Sequence, residues 1–462
     1  MRRCLKFRIL STFLIATGLM VAAWPVAVSA KSGEQVSPVL TKASNFYNPI
    51  MDNGADPWMT QWGKNYYLTD TTGDNITIWQ SDSITNIASG KSTIVWSPGG
   101  AQSDFADIWS PELRHFGSHW YIYFAADRNT DNATHRDYVL QSVTNNPLGR
   151  YRFVGEIHDP ANQWMIDPNV LQLNGKLYFL WSGWLSAQNQ VQRLFIAPMS
   201  SPTKIDGNGV VISSPVMPWE TSDAPINEGP VTLQHAGKTF IIYSANASWK
   251  NHYSLGMLTL RGTNPLSPKD WVKDPNPVFS SANGVYGPGR ASFVTSENKK
   301  QYWMIYHAAR YDGSGWDRSI RAQPFTWNQN GTPNFGKPIA LDTPIALPEG
   351  EAQNRVNYLP VLRTSNYVAF RVHVSSAGTY GMYVRYQNST AMTAMQNYTI
   401  NGKLQLALSF PQTETFPSHQ DLYSMMEIDV TLPKGYSVIK IAQGSLDAKV
   451  PFLQLTADAV SS

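Results

Sequence analysis

The sequence predicts an all-β protein with a five-bladed β-propeller followed by a β-sandwich. Three observations predict this class: a strand-like unit recurs five times, helical periodicity is nearly absent, and the composition changes after about residue 347. We expect residues 1–30 to form an N-terminal signal, 31–347 the propeller and 348–462 the sandwich.

The recurring unit is a turn, an aromatic pair and then alternating apolar residues. Its first aromatic residues are separated by 54, 58, 62 and 63 positions, and they are Tyr66, Trp120, Tyr178, Phe240 and Trp303. Alternation with a period of two predicts strands. Five all-β units of this length are typical of propeller blades around a central channel.

A proline-containing segment precedes each copy of the unit. The five segments contain ADPW, SPEL, IDPN, NEGP and YGPG, and four of them carry an acid beside the proline: Asp56, Glu112, Asp167 and Glu228. Equivalent positions of successive blades would meet at one end of the channel, as general acid–base chemistry requires. The alternatives are turn acids for the two Asp-Pro pairs and an arginine pair for Glu112. We favour a site because turn acids have no reason to recur at one blade position.

The first 30 residues predict secretion. Arg2, Arg3, Lys6 and Arg8 precede an apolar run that ends in the small residues of Val28-Ser29-Ala30, the pattern of a cleaved signal; the alternative is a signal anchor. We therefore expect an extracellular protein, or a periplasmic one, with no membrane segment after cleavage. Removing four of the 36 basic residues leaves 32 against 33 acids, which gives no reason to expect nucleic-acid binding. The one cysteine, Cys4, lies inside this segment, so the mature chain would have no disulfides.

The motifs ADPW, IDPN and NEGP, in this order, resemble glycoside hydrolase family 43. The later segments YGPGRASF and MIYHAAR are also similar to that family, and the resemblance extends over about residues 45–345. It implies a five-bladed propeller that hydrolyses glycosides with inversion. The sequence is most similar to secreted, exo-acting α-L-arabinofuranosidases, which implies arabinan or arabinoxylan of the plant cell wall as the substrate.

The resemblance also implies roles for three carboxyl groups. Asp56 would be the general base that activates water, and Glu228 the general acid that protonates the leaving oxygen. Asp167 would orient the acid and raise its pKa through like-charge repulsion. An inverting site needs its two carboxyl groups far enough apart to hold a water.

Five further residues are expected to bind substrate: Trp58, Trp109, Glu112, Arg290 and Arg318. The two tryptophans would wall the sugar, with core packing as the alternative. Arg318, rather than Arg321, is the preferred match to the family's arginine near the acids, with a surface ion pair as the alternative. Arg290 stands where many relatives have histidine, which puts a ligand contact there in doubt.

His307 in MIYHAA matches a family histidine near the channel axis, which implies a nearby ion or water. The resemblance implies that the reaction requires no cofactor. A structural Ca²⁺ in the channel is a further expectation. Imidazole is not a typical calcium ligand, so a core histidine is the alternative.

The C-terminal segments VAFRVHVSSAGTYGMYVRY and VTLPKGYSVIKI resemble carbohydrate-binding modules of families 6 and 35. The usual tryptophans are missing, since the last one in the chain is Trp327. Four tyrosines offer stacking faces or, as the alternative, packing: Tyr383, Tyr386, Tyr398 and Tyr423. We expect a module with reduced sugar binding that supports the propeller.

Two rival functions remain open. A β-xylosidase or a bifunctional relative would use the same three acids with different subsite walls. A non-catalytic sugar-binding propeller is the alternative of another class, and the three acids at matched positions argue against it. Invertase-like enzymes are disfavoured because their Asn-Asp-Pro-Asn pattern is absent around Asp56.

Overall fold

The structure is a computed structural model. It describes residues 45–51, 53–310, 312–341 and 343–351, and then, towards the C-terminus, 357–358, 362–363, 367–374, 377–386, 394–410, 424–442 and 455–459. The expected signal at 1–30 and Tyr423 lie outside the described residues.

Five antiparallel sheets follow one another along the chain from Trp58 to Asn334, each formed by strands that are consecutive in the sequence. Sheet I contains Trp58–Trp62, Asn65–Thr69, Ile76–Ser81 and Lys91–Trp96. Sheet II contains Phe105–Phe116, His119–Arg128, Asp131–Ser142 and Tyr151–Glu156. Sheet III contains Met165–Leu173, Lys176–Gly183, Arg193–Ser201, Lys204–Ile205 and Val210–Ser213. Sheet IV contains Asn227–His235, Lys238–Ala245, Ser254–Leu260 and Trp271–Lys273. Sheet V contains Tyr286–Thr295, Tyr302–Ala309, Arg318–Trp327 and Pro333–Asn334.

Apolar side chains fill the spaces between consecutive sheets. Separate clusters lie between sheets I and II, II and III, III and IV, and IV and V. A further cluster packs residues of sheet V, such as Trp303 and Ile320, against residues of sheet I, such as Met59 and Leu68. The last sheet therefore contacts the first. The recurring aromatic residues that predicted the repeat belong to these clusters, which explains their periodicity.

The ends of this region are joined through main-chain pairing. Asn45–Phe46 pairs with Ile345–Ala346, and the Asn48 side chain exchanges two hydrogen bonds of 2.9 Å with the main chain of Ala322 in sheet V. The segment that leads into sheet I is thereby attached to sheet V. This attachment fixes the start of sheet I, where Asp56 lies.

The C-terminal residues form two more sheets. One contains Asn357–Tyr358, Leu455–Ala459, Gly378–Tyr386 and Ser424–Leu432. The other contains Leu362–Arg363, Tyr367–Val374, Gly435–Ala442, Ala394–Ile400 and Lys403–Phe410. One apolar cluster draws residues from both sheets, and it includes Tyr386 and Tyr398. These two tyrosines are therefore packing residues, as the alternative interpretation expected.

The all-β class is confirmed. In the described part of the chain the one α-helix is the four-residue Pro218–Thr221, and the 3₁₀ helices are Ile87–Ser89, Gly100–Gln102 and Pro268–Asp270. No helix in the described ranges is both long and apolar enough to cross a membrane.

Candidate active site

In each of sheets I to V a left-handed residue is followed by proline; the pair lies just before the first strand in sheet I, near its start in sheets III to V and in its middle in sheet II. The φ values are 52° for Asp56, 50° for Ser110, 61° for Asp167, 58° for Gly229 and 53° for Gly287. In sheets II to V this pair forms a β-bulge, because two residues of the first strand face one residue of the second. Proline has no N–H to donate, and a bulge is one of the few strand positions that tolerates it. The bulges explain the prolines that recur in the sequence.

The bulge also corrects the predicted register of the four acids. Asp56 and Asp167 occupy the same position, but Glu228 comes one residue before the bulge and Glu112 one residue after its proline. The true counterpart of Asp56 in sheet II is Ser110, whose hydroxyl donates to Asp167 Oδ1. Glu112 and Glu228 therefore do not share the position of Asp56 and Asp167. We refer to the end of the sheets where Asp56, Asp167 and Glu228 lie as the site edge.

Asp56 is held among groups that stabilise a carboxylate. The Thr71 hydroxyl donates to Asp56 Oδ2 over 2.6 Å, and Arg318 Nη1 lies 3.9 Å from Oδ1. The side chain is 18 % exposed, so water reaches it. Gly54 allows this loop to lie close to sheet V, because a Cβ there would come within 2.5 Å of Ile320 Cδ1. The site edge therefore presents one solvent-accessible carboxylate at Asp56.

His307 supports Asp56 through the main chain. The Asp56 N–H donates to His307 Nδ1 over 2.9 Å, so Nδ1 is an acceptor and the ring proton is on Nε2. Burial and the charge of Arg318 hold the pKa of His307 well below its usual value, so the ring is neutral. Its Nε2 is buried and has no hydrogen-bond partner among the described residues. An N–H donor of this kind fits a water molecule and does not fit direct ligation of a cation.

Asp167 is surrounded by donors. It accepts hydrogen bonds from the Ser110 hydroxyl and from the Gly229 N–H at 2.9 Å, and Arg290 Nη1 lies 3.6 Å from Oδ1. Burial raises the pKa of Asp167, Arg290 lowers it in part, and the charge of Asp56 raises it again. The Gly229 N–H belongs to the residue after Glu228, so Asp167 is fixed directly beside the third carboxyl group.

Glu228 is a buried carboxyl group with one hydrogen-bond donor among the described residues. The residue is 9 % exposed, and the Tyr253 hydroxyl donates to its Oε1 over 2.7 Å. Burial and the nearby Asp167 raise the pKa of Glu228 to about 8. Asp167 accepts two hydrogen bonds and lies beside the positive charge of Arg290, whereas Glu228 accepts one hydrogen bond from a neutral hydroxyl. Of the two neighbouring carboxyl groups, Glu228 is therefore the one that holds a proton. The structure thus offers a protonated carboxylic acid at neutral pH, on the same edge as the carboxylate of Asp56.

Arg290 and Glu112 form a buried network beneath Asp167. Arg290 Nη2 donates to Glu112 Oε1 over 3.1 Å, and the Asn169 amide donates to both oxygens of Glu112. Arg114 Nη2 lies 3.4 Å from Glu112 Oε2. Burial raises the pKa of Glu112 to about 6, even though both arginines lower it. Glu112 and Arg290 are both buried, and Arg290 faces Asp167, so a substrate contact for either residue stays a prediction.

The other expected residues divide between core and edge. Trp58 is buried in the cluster between sheets I and II, and its indole N–H donates to Leu113 O, as the core-packing alternative expected. Trp109 is half-buried and stacks on His135 with ring centroids 4.1 Å apart. Arg318 approaches Asp56, as preferred, whereas Arg321 is buried and donates to the carbonyl of Ala309. Trp109 and Arg318 remain the two expected binding residues at the site edge.

Three polar contacts were not anticipated from the sequence: those of Thr71, Ser110 and Tyr253. Thr71 and Tyr253 each lie in the loop between the second and third strands of their sheets. These loops carry no repeated motif. Ser110 could have been found, because it stands before the proline of SPEL as Asp56 and Asp167 stand before theirs. Tyr253 reaches Glu228 across the bare Cα of Gly289, where a Cβ would lie 1.9 Å from the tyrosine ring.

Comparison with known proteins agrees with this geometry. The family model for glycosyl hydrolases family 43 matches residues 46–333. The chain belongs to this family. It is therefore a glycoside hydrolase, and the matched region spans all five sheets.

Individual relatives of this hydrolase are also informative. It is 35 % identical to an extracellular exo-α-(1→5)-L-arabinofuranosidase of Streptomyces avermitilis, over 74 % of this chain and 71 % of the relative. It is 31 % identical to α-L-arabinofuranosidase 43 of Humicola insolens, over 75 % and 70 % of the two chains. The crystal structure of an α-L-arabinofuranosidase from Lactobacillus brevis superposes with a TM-score of 0.60 at 30 % identity, covering 64 % of this chain and 98 % of that one.

Proposed function

We propose that this hydrolase is an exo-acting α-L-arabinofuranosidase that releases terminal arabinofuranose from arabinan or arabinoxylan with inversion. The observation that carries the proposal is the pairing of a protonated, buried Glu228 with a solvent-accessible Asp56 carboxylate on one edge. Relatives at 30–35 % identity that are named arabinofuranosidases support the choice of sugar.

The proposed reaction has one displacement step. A water held by Asp56 attacks the anomeric carbon, and its proton passes to the Asp56 carboxylate. The bond from that carbon to the leaving oxygen breaks, and Glu228 gives its proton to this oxygen. Asp167 keeps Glu228 protonated before the step, and Arg290 keeps Asp167 ionised.

We propose that sheets I to V are the five blades of a β-propeller and that the C-terminal sheets form a β-sandwich. The clusters between consecutive sheets, including that between V and I, support the first proposal. The shared cluster of the two C-terminal sheets supports the second. The proposed boundaries stay at 31–347 and 348–462, with a cleaved signal at 1–30 and secretion, in line with relatives named as extracellular.

The proposed step balances with two carboxyl groups and water, so we propose no cofactor for the chemistry. No group of three or more candidate metal-ligating residues occurs among the described residues. The protonated Nε2 of His307 would serve a channel water. A structural Ca²⁺ would need oxygen ligands other than this ring.

A hydrolysis screen tests the proposal. Linear 1,5-arabinan, arabinoxylan and xylo-oligosaccharides are each incubated with the enzyme, and released sugars are identified by chromatography. Proton NMR at early times reports the anomer formed. We expect arabinose as the sole early product, released as the β-anomer. Xylose from xylo-oligosaccharides as the main product, an oligosaccharide ladder or an α-anomer would each contradict one part of the proposal.

A further inference from the structure

Two exposed tryptophans stand together at the site edge. Trp249 is 41 % exposed and Trp316 is 67 % exposed. Trp249 lies in the loop 246–253 after the second strand of sheet IV, and Trp316 lies in the segment 312–317 before the third strand of sheet V. Both loops start at the site edge, because Glu228 pairs with Ser244 near the end of one strand and Arg318, just after the other loop, approaches Asp56.

The two rings are held in place by a defined frame. Their centroids are 5.6 Å apart with an interplanar angle of 71°. The Trp316 indole N–H donates to the Ser248 hydroxyl over 3.0 Å, and Arg318 donates to the Ser248 carbonyl over 2.7 Å. The frame therefore connects the tryptophan pair to the arginine beside Asp56.

A second set of contacts ties the loops to each other. The Asn251 side-chain amide donates to Asp312, and the Gly313 N–H donates to Asn251 Oδ1. On the other flank, Arg310 donates to Asn53 Oδ1, three residues before Asp56. Ring faces that stay exposed while their loops are cross-linked are suited to stacking on a ligand.

We propose that Trp249 and Trp316 form a subsite for the sugar on the leaving-group side of the bond that is cleaved. The ligand class is a pentose ring of the polysaccharide, whose C–H face stacks on an aromatic ring. The leaving-group side follows from the loop itself, because loop 246–253 ends at Tyr253, which donates to the acid Glu228. The inference rests on the proposed function, since it assumes that Glu228 protonates the leaving oxygen.

The test compares two substrates that differ in the leaving group. Arabinotriose leaves a sugar in the subsite, whereas α-L-arabinofuranosyl fluoride leaves only fluoride. For Trp316→Ala and Trp249→Ala we expect the ratio of kcat/KM for arabinotriose to that for the fluoride to fall about 10-fold, mainly through KM, as expected for the loss of one aromatic stacking contact. The matched control is Trp62→Ala: Trp62 is 43 % exposed and lies at the far end of its strand from Asp56, so this ratio should not change.

Binding measured without turnover separates this inference from the proposed function. Arabinotriose is titrated into the Glu228→Gln enzyme with and without Trp316→Ala, followed by calorimetry. A Kd about 10-fold higher in the double variant supports the subsite even if the wild-type enzyme hydrolyses neither substrate. An equal Kd, or an unchanged ratio in both tryptophan variants, overturns it. A wild-type enzyme that binds arabinotriose but does not cleave the fluoride contradicts the proposed function alone.

Discussion

The two sides of the active site give the same chemical group opposite environments. Around Asp56 there are a hydroxyl donor from Thr71, the charge of Arg318 and access to water. Around Glu228 there are buried surfaces, one tyrosine hydroxyl and the negative charge of Asp167. The difference shows how one edge can hold Glu228, the proposed acid, protonated at neutral pH while Asp56, the proposed base, stays accessible to water, because solvation and neighbouring charge decide which carboxyl group holds a proton.

The contrast depends on charges that lie outside the reacting pair. Arg290 contacts both Glu112 and Asp167. The negative charge of Glu112 therefore weakens the effect of Arg290 on Asp167. Asp167 in turn raises the pKa of Glu228. The side of the acid is thus controlled by a buried chain of ions, whereas the side of the base is controlled by direct donors.

Removal of Asp56, the proposed base, should have the largest effect. Asp56→Asn leaves no group to accept the proton of the attacking water, so we expect kcat to fall by about 10⁴-fold. The loss should be equal for arabinotriose and for arabinofuranosyl fluoride, since both need the water. Steady-state kinetics on both substrates measure it. Thr71→Ala, which removes one donor to Asp56 but keeps the carboxylate, is the control and should lose far less. Near wild-type turnover by Asp56→Asn would exclude Asp56 as the base.

Removal of the acid should have a smaller effect that depends on the leaving group. For Glu228→Gln we expect kcat on arabinotriose to fall by about 10³-fold, because the departing sugar oxygen needs a proton. Fluoride is a good leaving group that does not need a proton from Glu228. The kcat on arabinofuranosyl fluoride should therefore fall by about 10-fold or less. The measurement is the ratio of the two losses. Equal losses on both substrates would contradict the assignment of Glu228 as the acid.

Much of this arrangement was predictable from the repeat. Five aromatic repeats gave the all-β class, and the prolines marked where each first strand starts. Asp56, Asp167 and Glu228 were found because these marks bring distant segments to one edge. The assumed common register was wrong for Glu112 and Glu228, since a bulge that inserts one residue cannot be read from a motif that is aligned only on its proline.

The partners of the carboxyl groups were harder to predict. The N–H of Asp56 is bound by His307, 251 positions away, and Glu228 by Tyr253, 25 positions away in a loop without a motif. Trp58 follows an active-site turn, yet it points into the core because side chains alternate between the two faces of a strand. Local patterns give the strands and turns. The contacts of a side chain depend on which neighbouring sheet approaches it, and no local pattern contains that information.

The charge of Asp167 should be visible in the pH profile. Asp167 raises the pKa of Glu228, so Asp167→Asn should lower that pKa. The active form needs Glu228 protonated, and activity is lost as pH rises through its pKa. The alkaline limb of kcat/KM should therefore move to lower pH by roughly one unit. Ser110→Ala removes a hydrogen bond from Asp167 but keeps its charge, and this control should keep the limb within a few tenths of a unit of the wild type. An alkaline limb that stays in place in Asp167→Asn would mean that Asp167 does not set the pKa of the acid.

The smallest predicted effect concerns Tyr253, and it has the opposite sign. The hydroxyl of Tyr253 lowers the pKa of Glu228 by donating to Oε1, so Tyr253→Phe should raise that pKa and move the alkaline limb to higher pH by about half a unit. The turnover number should fall about 3- to 10-fold at the optimum, because the acid loses the contact that orients it. Gly289→Ala should reproduce part of this effect by pushing the ring away from Glu228. The control is Tyr243→Phe: Tyr243 lies in the second strand of sheet IV and its hydroxyl donates to Glu220 in the helix Pro218–Thr221, so the limb should be unchanged. A limb that moves to lower pH in Tyr253→Phe would show that the tyrosine acts by desolvating Glu228 rather than by hydrogen bonding, and the description of this side of the site would have to change accordingly.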